Sequence, residues 1–274
     1  MAEITAASVK SLREATGLPM MECKKALSAT NGDVDAAVKY LREQGIKTQE
    51  TRLGRETSAG RITVYVDAAK KVGAMVELKC ESAPVSNSDD FKSYASDLSK
   101  QLALTGAAGD ALLKQPSLAQ AGKTLKDVSD DIFNRMREVL VVGRTVRFEG
   151  TCGGYAHHDG SFGALVEIEG TNVDAAKDIA MHIVAQRPLV VAKEDLDPTV
   201  VDQERAILTE AARKEGKPEN IIVKMIEGRL KNFYAEKVLC EQPFIKDDKQ
   251  TVGAYAKASG IKVLKFASWQ MGKE

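Results

Sequence analysis

The stretch GRITVYVDAAKKVGAMVEL, residues 60–78, recurs at a constant offset of 90 as GTCGGYAHHDGSFGALVEI, residues 150–168. Gly60, Tyr65, Gly73, Ala74, Val76 and Glu77 return as Gly150, Tyr155, Gly163, Ala164, Val166 and Glu167. Each copy reads as two strand-like runs around a polar turn, the pattern of a β-hairpin. In the second run Val72, Ala74, Val76 and Leu78 fall on one face, because strand side chains alternate. Both copies lead into helical patterns, FKSYASDLSKQLA (91–103) and AKDIAMHIVAQRP (176–188). A hairpin-plus-helix unit used twice predicts an α+β core of two related subdomains.

The helices align at an offset of 85, through Lys92/Lys177 and Ala95/Ala180, so the first copy carries five extra residues between strand and helix. They fall in CESAPVSN, residues 80–87. Surplus loop length in one copy of a repeat points to a functional loop.

Outward from the repeat, residues 1–43 read as a three-helix module. Thr5 caps the first helix, Thr16-Gly17 stops it, and Pro19 opens the second. Asn31-Gly32-Asp33 breaks the chain and caps a third, with Val34, Ala37, Val38 and Leu41 at helical spacing. Residues 44–59 are polar and aperiodic, and are expected to be a linker with some helical content. The first core subdomain then spans 60–149, and the second 150–196 with 237–274. Between the two parts of the second, residues 197–236 read as an antiparallel helical hairpin. Val201, Ile207 or Leu208, and Ala211 face inward there against Ile222, Ile226, Leu230 and Phe233, with a Gly stop and Pro start in EGKP (215–218). The tail holds two apolar strand-like runs around a short helix.

Composition narrows the function. With 274 residues, 43% hydrophobic and 28% charged, the chain can bury a good core. Its 39 basic and 39 acidic residues cancel, which argues against nucleic acid as a partner. Four scattered cysteines without CxxC spacing suit reduced thiols rather than zinc or a disulfide framework. No leader pattern or membrane-length apolar run is present, so a cytoplasmic location is expected.

Motifs for chemistry are sparse. QAGKT (120–124) ends like a phosphate-binding loop, but Ser117 occupies the position that needs glycine. Cys80, Ser82 and His157 supply a nucleophile and a base, at a spacing that matches no general pattern. His157-His158-Asp159 offers metal donors, but with Cys152 the spacing matches no established site, and a hairpin turn ending in Asp159-Gly160 explains the Asp and Gly without a metal. His182, spaced with Ile179 and Ile183, reads as a packed core histidine. Met20-Met21 at a helix start reads as packing or as an adaptable contact surface, and Lys24-Lys25 as a solvated face. No enzyme and no cofactor is expected. A protein that binds another over an extended surface fits best.

LREATGLPMMECKKAL (12–27) resembles the first signature of the bacterial elongation factor Ts family. The resemblance continues through NGDVDAAVKYLREQG, VGAMVEL, DIAMHIVAQRP, GKPENIIVKMIEGRLKNFYAE and EQPFIKDDKQTVG. It implies an N-terminal three-helix, UBA-like bundle and a guanine-nucleotide exchange factor for elongation factor Tu, in its GDP-bound and nucleotide-free forms. By that likeness Met20, Met21 and Lys24 match N-terminal contact positions, and His157 a contact in the core. The helical hairpin is implied in self-association.

Two departures stand out. Where the family reads Cys-Glu/Gln-Thr-Asp-Phe-Val, this chain reads Cys80-Glu81-Ser82-Ala83-Pro84-Val85. The Asp and Phe that the family inserts near the partner's magnesium site are thus Ala83 and Pro84. Partner contact is expected from Glu81 through Val85, with Pro84 and Val85 as a stiff apolar knob. The family's Gly-Glu-Asn step is altered to Arg137-Glu138-Val139. A C-terminal helical module found in some members is not expected after Trp269.

Overall fold

The computed structural model describes residues 4–52, 54–215 and 218–273. α1 (Ala6–Thr16) is capped by Thr5, whose hydroxyl accepts from the Ser8 amide, and stops at left-handed Gly17. α2 (Met20–Ala29) follows Pro19, and α3 (Val34–Glu50) starts where the Asp33 carboxylate accepts from the Ala36 amide. Leu12, Cys23, Ala26, Leu27, Ala37 and Leu41 close a small core between them. Val34, expected on the inner face, is 42% exposed. As the first residue of α3 it lies ahead of the turns that bury Ala37 and Leu41. α3 also continues to Glu50, through the first part of the stretch expected as a linker.

Next come β1 (Ala59–Asp67), β2 (Val72–Cys80), the one-turn α4 (Ala83–Ser86), α5 (Asp89–Thr105), α6 (Asp110–Leu113) and α7 (Leu125–Met136). β3 (Val141–Glu149), β4 (Thr151–Ala156), β5 (Phe162–Glu169) and α8 (Val173–Gln186) follow. α9 (Pro198–Lys214) and α10 (Glu219–Lys237) make the helical hairpin. The chain then runs through β6 (Pro243–Phe244), β7 (Asp247–Thr251), α11 (Val252–Ala258) and β8 (Lys262–Gln270). The first of the two strand-like runs in the tail is therefore mostly a 3-10 turn, Leu239–Glu241, plus the two residues of β6.

Two antiparallel sheets, ordered β1-β2-β3 and β4-β5-β8, form the core. The repeat holds register for register: Tyr65 pairs with Ala74, and Tyr155 with Ala164. Gly60 and Gly150 even share their backbone, with φ of 155° and 153°. The sheets lie face to face, with Ile62, Met75, Phe148, Cys152 and Leu165 between them. α5 covers the outer face of the first sheet with α7 packed behind it, and α8 covers that of the second with α11 beside it. β2 is consequently buried on both faces, Gly73, Met75 and Glu77 included, rather than on one alternating face. Gly73 and Gly163, equivalent in the repeat, set the spacing. A Cβ on Gly163 would lie 2.4 Å from Ile62 Cγ2, and one on Gly73 2.8 Å from Leu165 Cδ1.

One buried charge crosses this layer. Glu77, 1% exposed, receives Arg144 Nη2 at 2.7 Å and Nε at 3.1 Å. Arg144 also donates to the Gln270 carbonyl and lies over the Trp269 ring. Burial opposes ionisation of Glu77, but the Arg144 bonds and charge prevail and hold its carboxyl below the usual range.

In the hairpin Leu208, not Ile207, turns toward the partner helix, since Ile207 is 61% exposed. Ala212, Ile222 and Leu230 are buried there, and Gly216 of the expected Gly stop lies outside the described residues. Among the described residues no helix is long and apolar enough to cross a membrane, and all four cysteines are free.

Candidate functional site

Eight residues, 81–88, join β2 to α5, whereas three, 170–172, join β5 to α8. The surplus becomes α4. Cys80 ends β2 and is buried, and Ser82 precedes the helix. Pro84 fits the first turn, where a missing backbone N–H costs nothing. Ala83 and Pro84 are exposed. Val85 is not: it is 8% exposed and packs in the core cluster that holds Cys80 and Phe91. The expectation of a Pro84–Val85 knob is corrected accordingly. One turn of helix places neighbouring residues on different sides, so the projecting pair is Ala83–Pro84 and Val85 anchors it.

Two carboxylates clamp this tip from below. Glu138 accepts from the Ser82 amide at 2.9 Å and from its hydroxyl at 2.5 Å. Glu81 accepts from the Val139 amide at 3.0 Å and from Arg55 Nη1 at 3.1 Å. The Val139 amide, aided by Arg55, keeps the Glu81 carboxyl below its ordinary range. The other end of the loop is tied by Arg61, which donates to Asn87 Oδ1 at 3.2 Å and to the His158 carbonyl at 2.6 Å. Arg61 thereby joins the α4 segment to the β4–β5 turn that carries His157. His157 is half-buried, with Nδ1 3.1 Å from the Tyr155 hydroxyl and its ring beside that of His158.

On α2, Met20 is 51% and Met21 64% exposed, and Lys24 is exposed beside them. Glu22 of the same helix pairs with Arg137, the residue before Glu138. A chain of polar contacts thus runs from α2 through residues 137–139 to α4, and on through Arg61 to the β4–β5 turn. Sequence reasoning missed Arg61 and the tie made by Glu138. A lone arginine inside the apolar run GRITVYV was the signal for the first.

The nucleophile reading does not assemble. Burial pushes the Cys80 thiol up to about 11, the Ser82 hydroxyl is committed to Glu138, and His157 faces Tyr155. The GKT stretch is no phosphate cradle either. The buried Asp97 carboxylate already accepts from the Ser117 hydroxyl and from the Leu118 and Ala119 amides, the donors that a phosphate would need. Among the described residues no group of three or more acidic, histidine or cysteine side chains is placed to hold a metal ion. His182 is fully buried, its Nε2 2.9 Å from Gln242 Oε1.

The family model described as Elongation factor TS matches residues 81–273. Proteins named Elongation factor Ts from Alkalilimnicola ehrlichii and Methylococcus capsulatus are each 38% identical, over 98% of this chain and 92% of theirs. One of the same name from Aquifex aeolicus is 36% identical over 96% of both chains.

Proposed function

The chain belongs to the elongation factor Ts family, and on that footing we propose that it promotes GDP release from elongation factor Tu. A role in translation elongation comes with the membership. The exchange step needs no covalent chemistry and no cofactor of its own; the protein acts by binding. Met20, Met21 and Lys24 form one contact with the GTPase, and Glu81, Ser82, Ala83 and Pro84 with His157 the other. The observation that supports this best is the exposed Ala83–Pro84 tip, clamped from both ends where the family places its wedge.

The mechanism is a coupling of two equilibria. A factor that binds the nucleotide-free partner more tightly than the GDP form must weaken GDP by the same free energy. Couplings of about 1–3 kcal/mol are typical, so a strong exchange effect needs an extended, pre-ordered interface. Pro84 contributes order through its fixed φ, and the Glu138 and Arg61 ties through the loop ends. The exposed Ile207 and Val223 on the hairpin (61% and 57%) supply a surface for self-association.

Release of a fluorescent GDP from the cognate factor Tu tests the proposal. The wild-type chain should accelerate it, and Pro84→Gly should slow that acceleration about tenfold, the effect of one lost apolar contact. Unchanged acceleration in Pro84→Gly removes the tip from the mechanism. Tight binding without acceleration makes the protein a scaffold instead.

A further inference from the structure

Arg137 ends α7 in the left-handed conformation, with φ 59° and ψ 28°, where a side chain with a Cβ is disfavoured and glycine is not. What the arginine adds there is a hold on the N-terminal segment. Its guanidinium pairs with Glu22 of α2, and its carbonyl accepts from the Arg52 guanidinium just beyond α3. The next two residues grip the α4 loop, Glu138 through Ser82 and the Val139 amide through Glu81. Glu81 in turn holds Arg55. Three consecutive residues therefore bind the helix that carries Met20 and Met21, the segment after α3, and the base of the Ala83–Pro84 tip.

We infer that Arg137 is a positioning residue: it clasps the N-terminal bundle to the core and fixes the spacing between the methionine end of α2 and the α4 tip. The role in exchange rests on the function proposed above, while the clasp itself is a property of the free chain. The carbonyl bond to Arg52 survives any substitution at 137; the side-chain bond to Glu22 does not. Arg42 of α3 still pairs with Asp127 and Asp131 of α7, so what loosens without the Glu22 bond is the α2 end of the bundle. Only a fraction of molecules then present both contacts at the right spacing, and apparent affinity falls by that fraction. Once the partner is bound the spacing is restored, so the rate at saturation stays the same.

Two measurements on the full chain test this. Spin labels at Ser28→Cys on α2 and Lys92→Cys on α5, in a Cys240→Ser background, report the bundle-to-core distance by pulsed electron resonance. One narrow distribution is expected for Arg137, a broadened one for Arg137→Gly, and recovery of the narrow one for Arg137→Lys. In GDP release, Arg137→Gly should raise the half-maximal factor concentration about two- to fivefold at an unchanged saturating rate, the range that one partly exposed ion pair supplies. Arg137→Lys should recover most of that loss. Glu22 and Arg137 side chains are 40% and 30% exposed, so added salt should narrow the gap between Arg137 and Arg137→Gly. An unchanged distance distribution in Arg137→Gly overturns the clasp, and an unchanged half-maximal concentration overturns its part in exchange. If even the parent fails to accelerate GDP release, the exchange function falls, and the distance measurement alone decides the clasp.

Discussion

His182 on α8 uses both ring nitrogens. Nδ1 accepts from the Ile245 amide at 3.3 Å, which leaves the proton on Nε2 to donate to Gln242 Oε1. Gln242 then donates to the carbonyls of Glu236 and Gln186, at the root of the helical hairpin. Burial depresses the His182 pKa below 6.5, against the opposing effect of the Gln242 bond. Between the depressed folded value and about 6.5 the unfolded chain binds the proton and the folded chain does not. The histidine's contribution to stability is thus complete above that window and is lost as pH falls through it. Melting temperature should decline from pH 7.5 to pH 5, and His182→Gln should flatten that decline; an equally steep decline in the variant would assign it to other groups. The sequence showed this histidine as core, from its spacing with Ile179 and Ile183. Its partners, some 60 residues on, had no local signature.

At the scale of elements, α9 and α10 pack chiefly on each other. Their root is fastened by Leu189 N to the Lys237 carbonyl and Leu239 N to the Val190 carbonyl, with the Lys193–Glu241 pair beside it. The buried Ala212, Ile222 and Leu230 serve the hairpin itself, while Ile207 and Val223 face solvent. Replacing residues 198–236 with a short Gly/Ser turn should therefore leave the melting temperature within about 4 °C, equivalent to ~1 kcal/mol. GDP release should persist, and any concentration-dependent rise in mass on a sizing column should vanish. A collapse in stability would show that the hairpin is part of the core. α4 is the opposite case, an element too short for any period to reveal. The repeat exposed its extra length; that the extra residues coil into one turn, with Val85 inward, followed from the pocket that Cys80 and Phe91 offer it.

For the whole molecule the decisive contact is sheet on sheet. Gly163→Val should overpack the layer against Ile62 and cost about 1–3 kcal/mol, read as a lower urea midpoint at an unchanged slope. A midpoint equal to wild type would mean that the two sheets can separate freely. Hairpins, helices, caps and the duplication were legible in the chain, because they depend on residues within a few positions of one another, and the family resemblance rests on such contiguous blocks. The assembly of the proposed contact face was not. Arg61 meets Asn87 and His158 across 26 and 97 positions, Ser82 meets Glu138 across 56, and Arg137 meets Glu22 across 115. Pairings over such separations are set by how the two copies of GRITVYV…VGAMVEL stack and where the bundle docks, and no local period encodes either. Strand alternation and helical spacing said which residues could turn inward; packing of distant segments chose Val85 for the core and left Ala83 and Pro84 at the surface.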